Sequence, residues 1–239
     1  MNVLQHLIAE PDECSYLPDE QRRMEYVLLE AMAPDEYQQL MDAGWRRFGH
    51  TLLRPRCLKC SACQPIRVDV SRFSPNRSQR RVARLNESTV RLEVRPPRCD
   101  ARRLELHRRY HSFQADFKGW PDHAAQTAEA YQASFVDNPF PNWEYAYHVG
   151  DELVGVGYVD ELPASFSAIY FFYAPEHRHR SLGTWNVLSI IARAASKGVP
   201  YVYLGYYVAG CRSMAYKAAF RPNQVLTADG RWREFRSAD

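Results

Sequence analysis

The chain has 239 residues, 46% of them hydrophobic, six cysteines and a formal net charge of +3. That length can bury a sizeable core, as one large domain or two small ones, without a disulfide scaffold. No run of 18 apolar residues is present, and residues 1–11 lack a basic stretch followed by an apolar one, so neither a membrane span nor a signal peptide is expected.

Prolines 11, 18, 34, 55 and 65 punctuate the first 70 residues. Between them, Ala33-Pro34-Asp35-Glu36 followed by Tyr37, Leu40 and Met41 predicts a helix, with proline and acids in its first turn and Gly44 at its end. Residues 50–54 predict a short strand, and Ile66-Arg67-Val68-Asp69-Val70 alternates as a strand does. Residues 76–87 predict an arginine-rich helix capped by Asn76, 100–113 a second helix, and 119–123 a loop. Strands are predicted at 143–149 and 153–160, joined by the turn Gly150-Asp151-Glu152, and a third at 167–173. A helix follows at 182–197, with Val187, Leu188, Ile190, Ile191 and Ala194 as its apolar stripe and Gly198 beyond it. A short strand at 201–205 and a short helix at 213–220, stopped by Pro222, complete the pattern. The expectation is an α+β fold in two domains. Residues 1–100 would form a cysteine-bearing N-terminal half. Residues 101–239 resemble a GNAT-type acyltransferase, with a mixed, mainly antiparallel sheet and helices.

Charge and thiols are unevenly spread. Residues 1–50 carry 4 basic and 10 acidic side chains, whereas 67–109 carry 13 arginines, no lysine and 5 acids. Arginine presents a planar fork suited to phosphate, and phosphate contacts supply most nucleic-acid affinity. Arg77, Arg80, Arg81 and Arg84 follow i, i+3, i+4, i+7 spacing and therefore share one helix face. Cys57, Cys60 and Cys63 form two consecutive CxxC steps, and Cys14 supplies a distant fourth thiol. Four such thiolates suit a tetrahedral zinc or equally an iron–sulfur cluster. Metal spacing of this kind points to a reducing compartment, so a cytoplasmic protein is expected. Cys99 and Cys211 have no comparable spacing and are read as packing residues.

Cys14-x-Tyr16-Leu17-Pro18 and Arg54-Pro55-x-Cys57-x-x-Cys60-x-x-Cys63-x-Pro65-x-Arg67-Val68 resemble the N-terminal signature of the aminoacyl-tRNA–protein transferases. Pro75 to Arg81 continues it, and Ser181-Leu182-Gly183-Thr184, Tyr201 to Tyr206, Gly210-Cys211-Arg212-x-Met214-x-Tyr216-Lys217 and Arg221-Pro222 resemble the C-terminal half. The resemblance runs from about residue 14 to 232 in one order and leans toward the bacterial aspartate/glutamate leucyltransferase branch. One stretch departs from that branch: the chain reads His111-Ser-Phe-Gln-Ala-Asp-Phe-Lys118-Gly119-Trp120-Pro121 in place of a His-x-Asp-Gly-x-Met-like sequence. The resemblance implies transfer of a leucyl group from aminoacyl-tRNA to proteins beginning with Asp or Glu, which marks them for N-degron degradation. Arginyl-tRNA is the alternative donor, and a metal-stabilised RNA-binding protein without catalysis is the reading from a different class.

Aminolysis of an aminoacyl ester is downhill, so such an enzyme chiefly positions two partners and presents an unprotonated amine. An α-amino group titrates near 8, so a modest base suffices. Asp160, at a strand end, is the candidate base, and Tyr170 and Tyr206 are candidate hydroxyl donors to the oxyanion. Tyr203 and Tyr216 are candidates for contact with the terminal ribose, and Lys217 or Arg180 for pairing with the acceptor's acid. Arg180, Ser181 and Gly183 precede or open a helix, where backbone amides receive a phosphate or carboxylate. Trp185 stands where a coenzyme A enzyme needs a small residue, so coenzyme A is not expected and the chemistry needs no cofactor. Arg77, Arg80, Arg81 and Arg84 are the candidate tRNA contacts, and no membrane partner is expected.

Overall fold

The computed structural model describes residues 1–118 and 127–235, so the loop expected at 119–123 lies outside the described residues. Two sheets carry the chain. The smaller has four antiparallel strands in the order β1 (Asn2–Ile8), β4 (Met24–Ala31), β6 (Thr51–Pro55), β5 (Arg46–Phe48). A two-stranded ribbon, β2 (Asp12–Glu13) and β3 (Gln21–Arg22), precedes β4. Helix α1 (Pro34–Asp42) joins β4 to β5 with proline and two acids in its first turn, as its sequence predicts. The chain leaves α1 through Gly44 at φ +89°, a left-handed conformation that favours glycine.

The larger sheet has eight strands. Their order is β14 (Trp232–Glu234), β13 (Asn223–Leu226), β7 (Gln64–Asp69), β12 (Tyr201–Tyr207), β11 (Ser165–Tyr173), β10 (Glu152–Glu161), β9 (Trp143–Val149), β8 (Arg91–Arg95). Every pairing is antiparallel except β11 with β12. A parallel pair needs a crossover, and α5 (Leu182–Ser196) supplies it, burying Leu182, Val187, Leu188, Ile190, Ile191 and Ala194. The architecture is thus α+β with a mainly antiparallel sheet. Strands β7 and β8 come from before residue 100, so the sheet crosses the boundary expected between two domains.

Helix α2 (Arg77–Asn86) has the capping box its sequence predicts: Asn76 and Gln79 bond each other's backbone N–H at 2.9 Å. Its buried positions are Gln79, Val82 and Asn86, and it packs on α5. Helix α3 (Ala101–Lys118) runs further than the predicted 100–113. The helix predicted at 213–220 is a turn of α6 (Arg212–Ala215) followed by a 3-10 turn over Tyr216–Ala219. Helix α4 (Ala128–Tyr131) leads into a π-turn at Gln132–Val136.

A large core of β9–β12 and α5 residues fills the main sheet. The second core, with Val27, Leu29, Tyr37, Met41 and Leu52, recruits Phe140, Leu162 and Tyr203 and so joins the smaller sheet to the larger. Polar groups cross the same seam. Tyr203 donates its hydroxyl to Asp42, and Arg67 donates to both at 3.0 and 2.9 Å. The Tyr206 hydroxyl donates to the carbonyls of Gly44 and Leu53 at 2.9 and 3.3 Å.

Candidate active site

The seam between the two sheets gathers most of the chemistry. Arg46 and Arg47 are consecutive on β5, and both are buried, 7% and 3% exposed. Arg47 grips Asp160 of β10 with Nε at 3.2 Å and with Nη2, and also reaches the Gly49 carbonyl and Asn138. Both side chains of that ion pair are wholly buried. Burial pushes the Asp160 carboxyl up, and Arg47 opposes the shift. Asp160, expected as the base that deprotonates the attacking amine, is therefore closed off from solvent and committed to Arg47. Its oxygens bond Arg47 across the seam.

Arg46 is placed differently. Its two terminal nitrogens are buried without a hydrogen-bond partner, and its guanidinium carbon lies 5.5 Å from the Tyr203 ring centroid. Lys217, 8% exposed, donates to the Tyr206 carbonyl at 2.8 Å and approaches the Met214 sulfur at 3.5 Å. Between the two cations stands Gly205, partly exposed, at φ +82°. A Cβ built there would meet Lys217 Nζ at 3.5 Å and Arg46 Nη2 at 3.9 Å. Burial, with Arg46 beside it, holds the Lys217 ammonium down to about 7. The Tyr37 hydroxyl, which feels the charges of Asp160, Arg46 and Arg47, is buried facing that of Ser167, and among the described residues neither has another partner.

The remaining expected residues fall into three groups. Tyr203 and Tyr206 are buried, and their hydroxyls bond across the seam to Asp42 and to the Gly44 carbonyl. Tyr170 is partly exposed, and its hydroxyl lies 2.9 Å from His111 Nε2 within a cluster of aromatic rings from Phe48, His107, Phe135 and Phe172. Burial pushes the Tyr170 phenol up to about 12, so at neutral pH it is a hydroxyl donor. Tyr216 is 48% exposed beside Lys217.

Arg180 is held at the C-terminal end of α2. It donates to Thr89 Oγ1 at 3.0 Å, and its carbonyl accepts from Asn86. Ser181 adopts a left-handed conformation at φ 53° at the start of α5. A Cβ at Gly183 would meet nothing within 4 Å, so the first turn of that helix is open. Arg77, Arg80, Arg81 and Arg84 are all exposed, on the side of α2 opposite Gln79, Val82 and Asn86. The N-terminal end of α2 reaches Ala219 through Gln79 at 3.1 Å, and its C-terminal end reaches Arg180 through Asn86 at 2.9 Å. The arginine face therefore runs for roughly 10 Å along the helix between the Lys217 turn and the start of α5.

Cys14, Cys57, Cys60 and Cys63 line one cleft of about 790 Å³ beneath Tyr206, together with Tyr16, Arg54 and Pro55. The Cys63 thiol is pushed up to about 12, by burial first and then by Cys57, Cys14 and Cys60 around it. The Cys57 sulfur accepts the Arg23 N–H at 3.4 Å. As placed, no three His, Cys, Asp or Glu side chains among the described residues form a metal-holding group. The thiols share a cleft without making a coordination set.

Sequence reasoning misses Arg46, Gly205 and Tyr37. A signal for Arg46 exists: Trp45-Arg46-Arg47-Phe48 places two arginines between aromatics in an otherwise acidic segment.

Relatives extend this picture. The family described as arginine-tRNA-protein transferase, N terminus, matches residues 12–81, and its C-terminus counterpart matches residues 102–227. The chain belongs to the arginine-tRNA-protein transferase family. A Campylobacter jejuni protein named aspartate/glutamate leucyltransferase is 36% identical over 90% of each chain. Proteins of the same name from Marinobacter nauticus and Halorhodospira halophila are 36% and 38% identical, covering 98% and 92% of this chain and 97% and 93% of theirs. This transferase is thus an enzyme that uses aminoacyl-tRNA as donor and a protein as acceptor. Among its described residues no helix is long and apolar enough to cross a membrane.

Proposed function

We propose that the transferase moves a leucyl group from leucyl-tRNA to the α-amino group of proteins beginning with Asp or Glu, in the cytoplasm, and so marks them for N-degron degradation. The observation that carries this reading is the near full-length match to relatives named aspartate/glutamate leucyltransferase. The amine attacks the leucyl carbonyl, an amide forms, and the ester bond to the terminal ribose of the tRNA breaks. The ammonium proton is lost before attack, and the ribose oxygen leaves as a hydroxyl. Positioning supplies most of the acceleration.

The proposed roles draw on where each residue sits. The frame of β9, β10 and β11 with α5 crossing to the parallel β12 is read as GNAT-type; β11 and β12 pair over Ser165–Ser167. The arginine face of α2 takes tRNA phosphates, and Arg180, Ser181 and Gly183 take the phosphate nearest the aminoacyl end. The Tyr170 hydroxyl, with His111 behind it, is the donor to the developing oxyanion. Tyr216, exposed at the start of the Lys217 turn, is the candidate contact to the terminal ribose. Arg47 and Asp160 keep the seam rigid behind these groups. Cys14, Cys57, Cys60 and Cys63 act together in their cleft, and the zinc and iron content of protein prepared without oxygen reads whether they close on a metal.

The test is transfer from labelled leucyl-tRNA or arginyl-tRNA to peptides beginning with Asp, Glu or Ala. Leucyl product on Asp and Glu peptides alone is expected. Arginyl product in its place would reassign the donor, and binding of charged tRNA without any product would leave an RNA-binding protein.

A further inference from the structure

We propose that Arg46 and Lys217 clamp the carboxylate of the acceptor's N-terminal Asp or Glu side chain in the space beside Gly205; this rests on the acidic-acceptor reading above and names the residues that enforce it. Two cations are buried side by side here, and among the described residues neither makes an ion pair. Asp160, whose charge Arg46 also feels, is already engaged by Arg47. Burying like charges together without a counter-ion is unfavourable, and an arriving anion removes that cost.

The geometry selects the kind of anion. Both terminal nitrogens of Arg46 are covered and without a hydrogen-bond partner, so a carboxylate that displaces their cover meets a fork that holds its two oxygens side by side. Lys217 has used one of its three protons on a backbone carbonyl and keeps another for the same ligand. A Cβ on Gly205 would stand 3.5 Å from Lys217 Nζ and 3.9 Å from Arg46 Nη2, so glycine keeps a side chain from covering the approach to both cations. Gly205 is partly exposed while its flanking cations are nearly covered, which makes the entrance narrow. A carboxylate on a one- or two-methylene stem fits such an entrance. An RNA phosphate, fixed between two riboses, meets the exposed arginines of α2 instead.

A site built on two desolvated cations rejects the neutral isostere strongly, because Asn or Gln leaves both charges unmatched. Acceptor choice is read with the full-length chain, leucyl-tRNA and peptides beginning with Asp, Asn, Glu or Gln. Wild type is expected to favour each acid over its amide by at least about 100-fold in kcat/KM. In Arg46→Met and Lys217→Met that ratio collapses toward one, chiefly through KM, while affinity for charged tRNA is unchanged. Arg46→Lys, which keeps the charge and loses the fork, retains an intermediate ratio and reads the site should Arg46→Met not fold. Gly205→Ala, which fills the space, lowers both acid rates. Equal losses on all four peptides with the ratio intact would overturn the assignment, as would weakened tRNA affinity with peptide choice preserved. If wild type itself transfers to no acidic peptide, the acceptor reading falls and this subsite with it.

Discussion

Arg46 and Arg47 are neighbours on one strand, both buried, and they have opposite surroundings. Arg47 meets Asp160 through two nitrogens and also donates to the Gly49 carbonyl. Arg46 meets an aromatic ring, a glycine and a second cation. Arg103 of α3 follows the Arg47 pattern, with Glu144 of β9 taking two of its nitrogens at 2.7 Å. Ion pairing thus satisfies the buried arginines that hold elements together. Among the described residues the buried arginine without a hydrogen-bond partner for its terminal nitrogens, Arg46, stands beside the partly exposed Gly205. A fold can keep an unmatched buried charge only where the rest of the molecule is stable enough to carry it, and functional sites are where such charges accumulate.

The contrast is broken most directly from the matched side. Asp160→Ala leaves Arg47 uncompensated and is expected to lower stability to denaturant by about 3–5 kcal/mol. Lys217→Met removes one of two repelling cations and is expected to unfold at the same denaturant concentration as wild type or higher at pH 7. Similar losses in both variants would mean that the two arginines do not differ as described.

A second measurement sharpens the unmatched side. Lys217 is held down to about 7 in the folded chain against an ordinary value of 10.5, with burial first and Arg46 second as causes. Between those values the unfolded chain binds a proton that the folded one has released, so stability from this group rises with pH across that window. The difference between wild type and Lys217→Met should climb by up to roughly 1.4 kcal/mol per pH unit from pH 7 toward 10. A flat difference would place Lys217 in water rather than beside Arg46.

Smaller effects are expected at α2. Asn76→Ala removes the cap on Gln79 and should cost about 1 kcal/mol in denaturant unfolding. Alanine at Arg77, Arg80, Arg81 and Arg84 together should change stability by only about 0.5 kcal/mol, because all four are exposed. The same variant should reduce the salt dependence of charged-tRNA binding by up to about 0.9 log unit for each phosphate that an arginine no longer neutralises. An unchanged salt slope would take the RNA off this face.

The elements that sequence shows well are those whose period is unambiguous. The 143–149 strand, the α5 stripe and the Asn76 cap all stand where alternation, helical spacing and capping chemistry put them. Strands β1, β5, β8 and β14 are not legible, because β1 is exposed along its whole length and the others are only three to five residues long. The arginine face of α2 is readable because its residues are close in sequence. The Arg46–Gly205–Lys217 constellation is not, since it joins β5 to β12 and to the turn after it, and only tertiary packing brings those segments together. Lys217 is visible as a cation near a predicted cleft. Asp160 reads as a free strand-end base because its partner, Arg47, lies 113 positions away.

Strand β7 has a consequence for how the chain is made. It sits inside the large sheet with β12 on one side and β13 on the other, so residues 64–69 find their neighbours only when residues 201–207 and 223–226 have been synthesised. Cys57, Cys60 and Cys63 lead directly into that strand. On the ribosome they therefore wait, with an unpaired strand edge beside them, until the last part of the chain emerges. Contacts of such long separation form late and slowly, and unpaired edges invite association with other chains meanwhile. The cysteine cleft is among the last features of this molecule to be assembled, and nascent chains ending before residue 200 should expose all three thiols to alkylation.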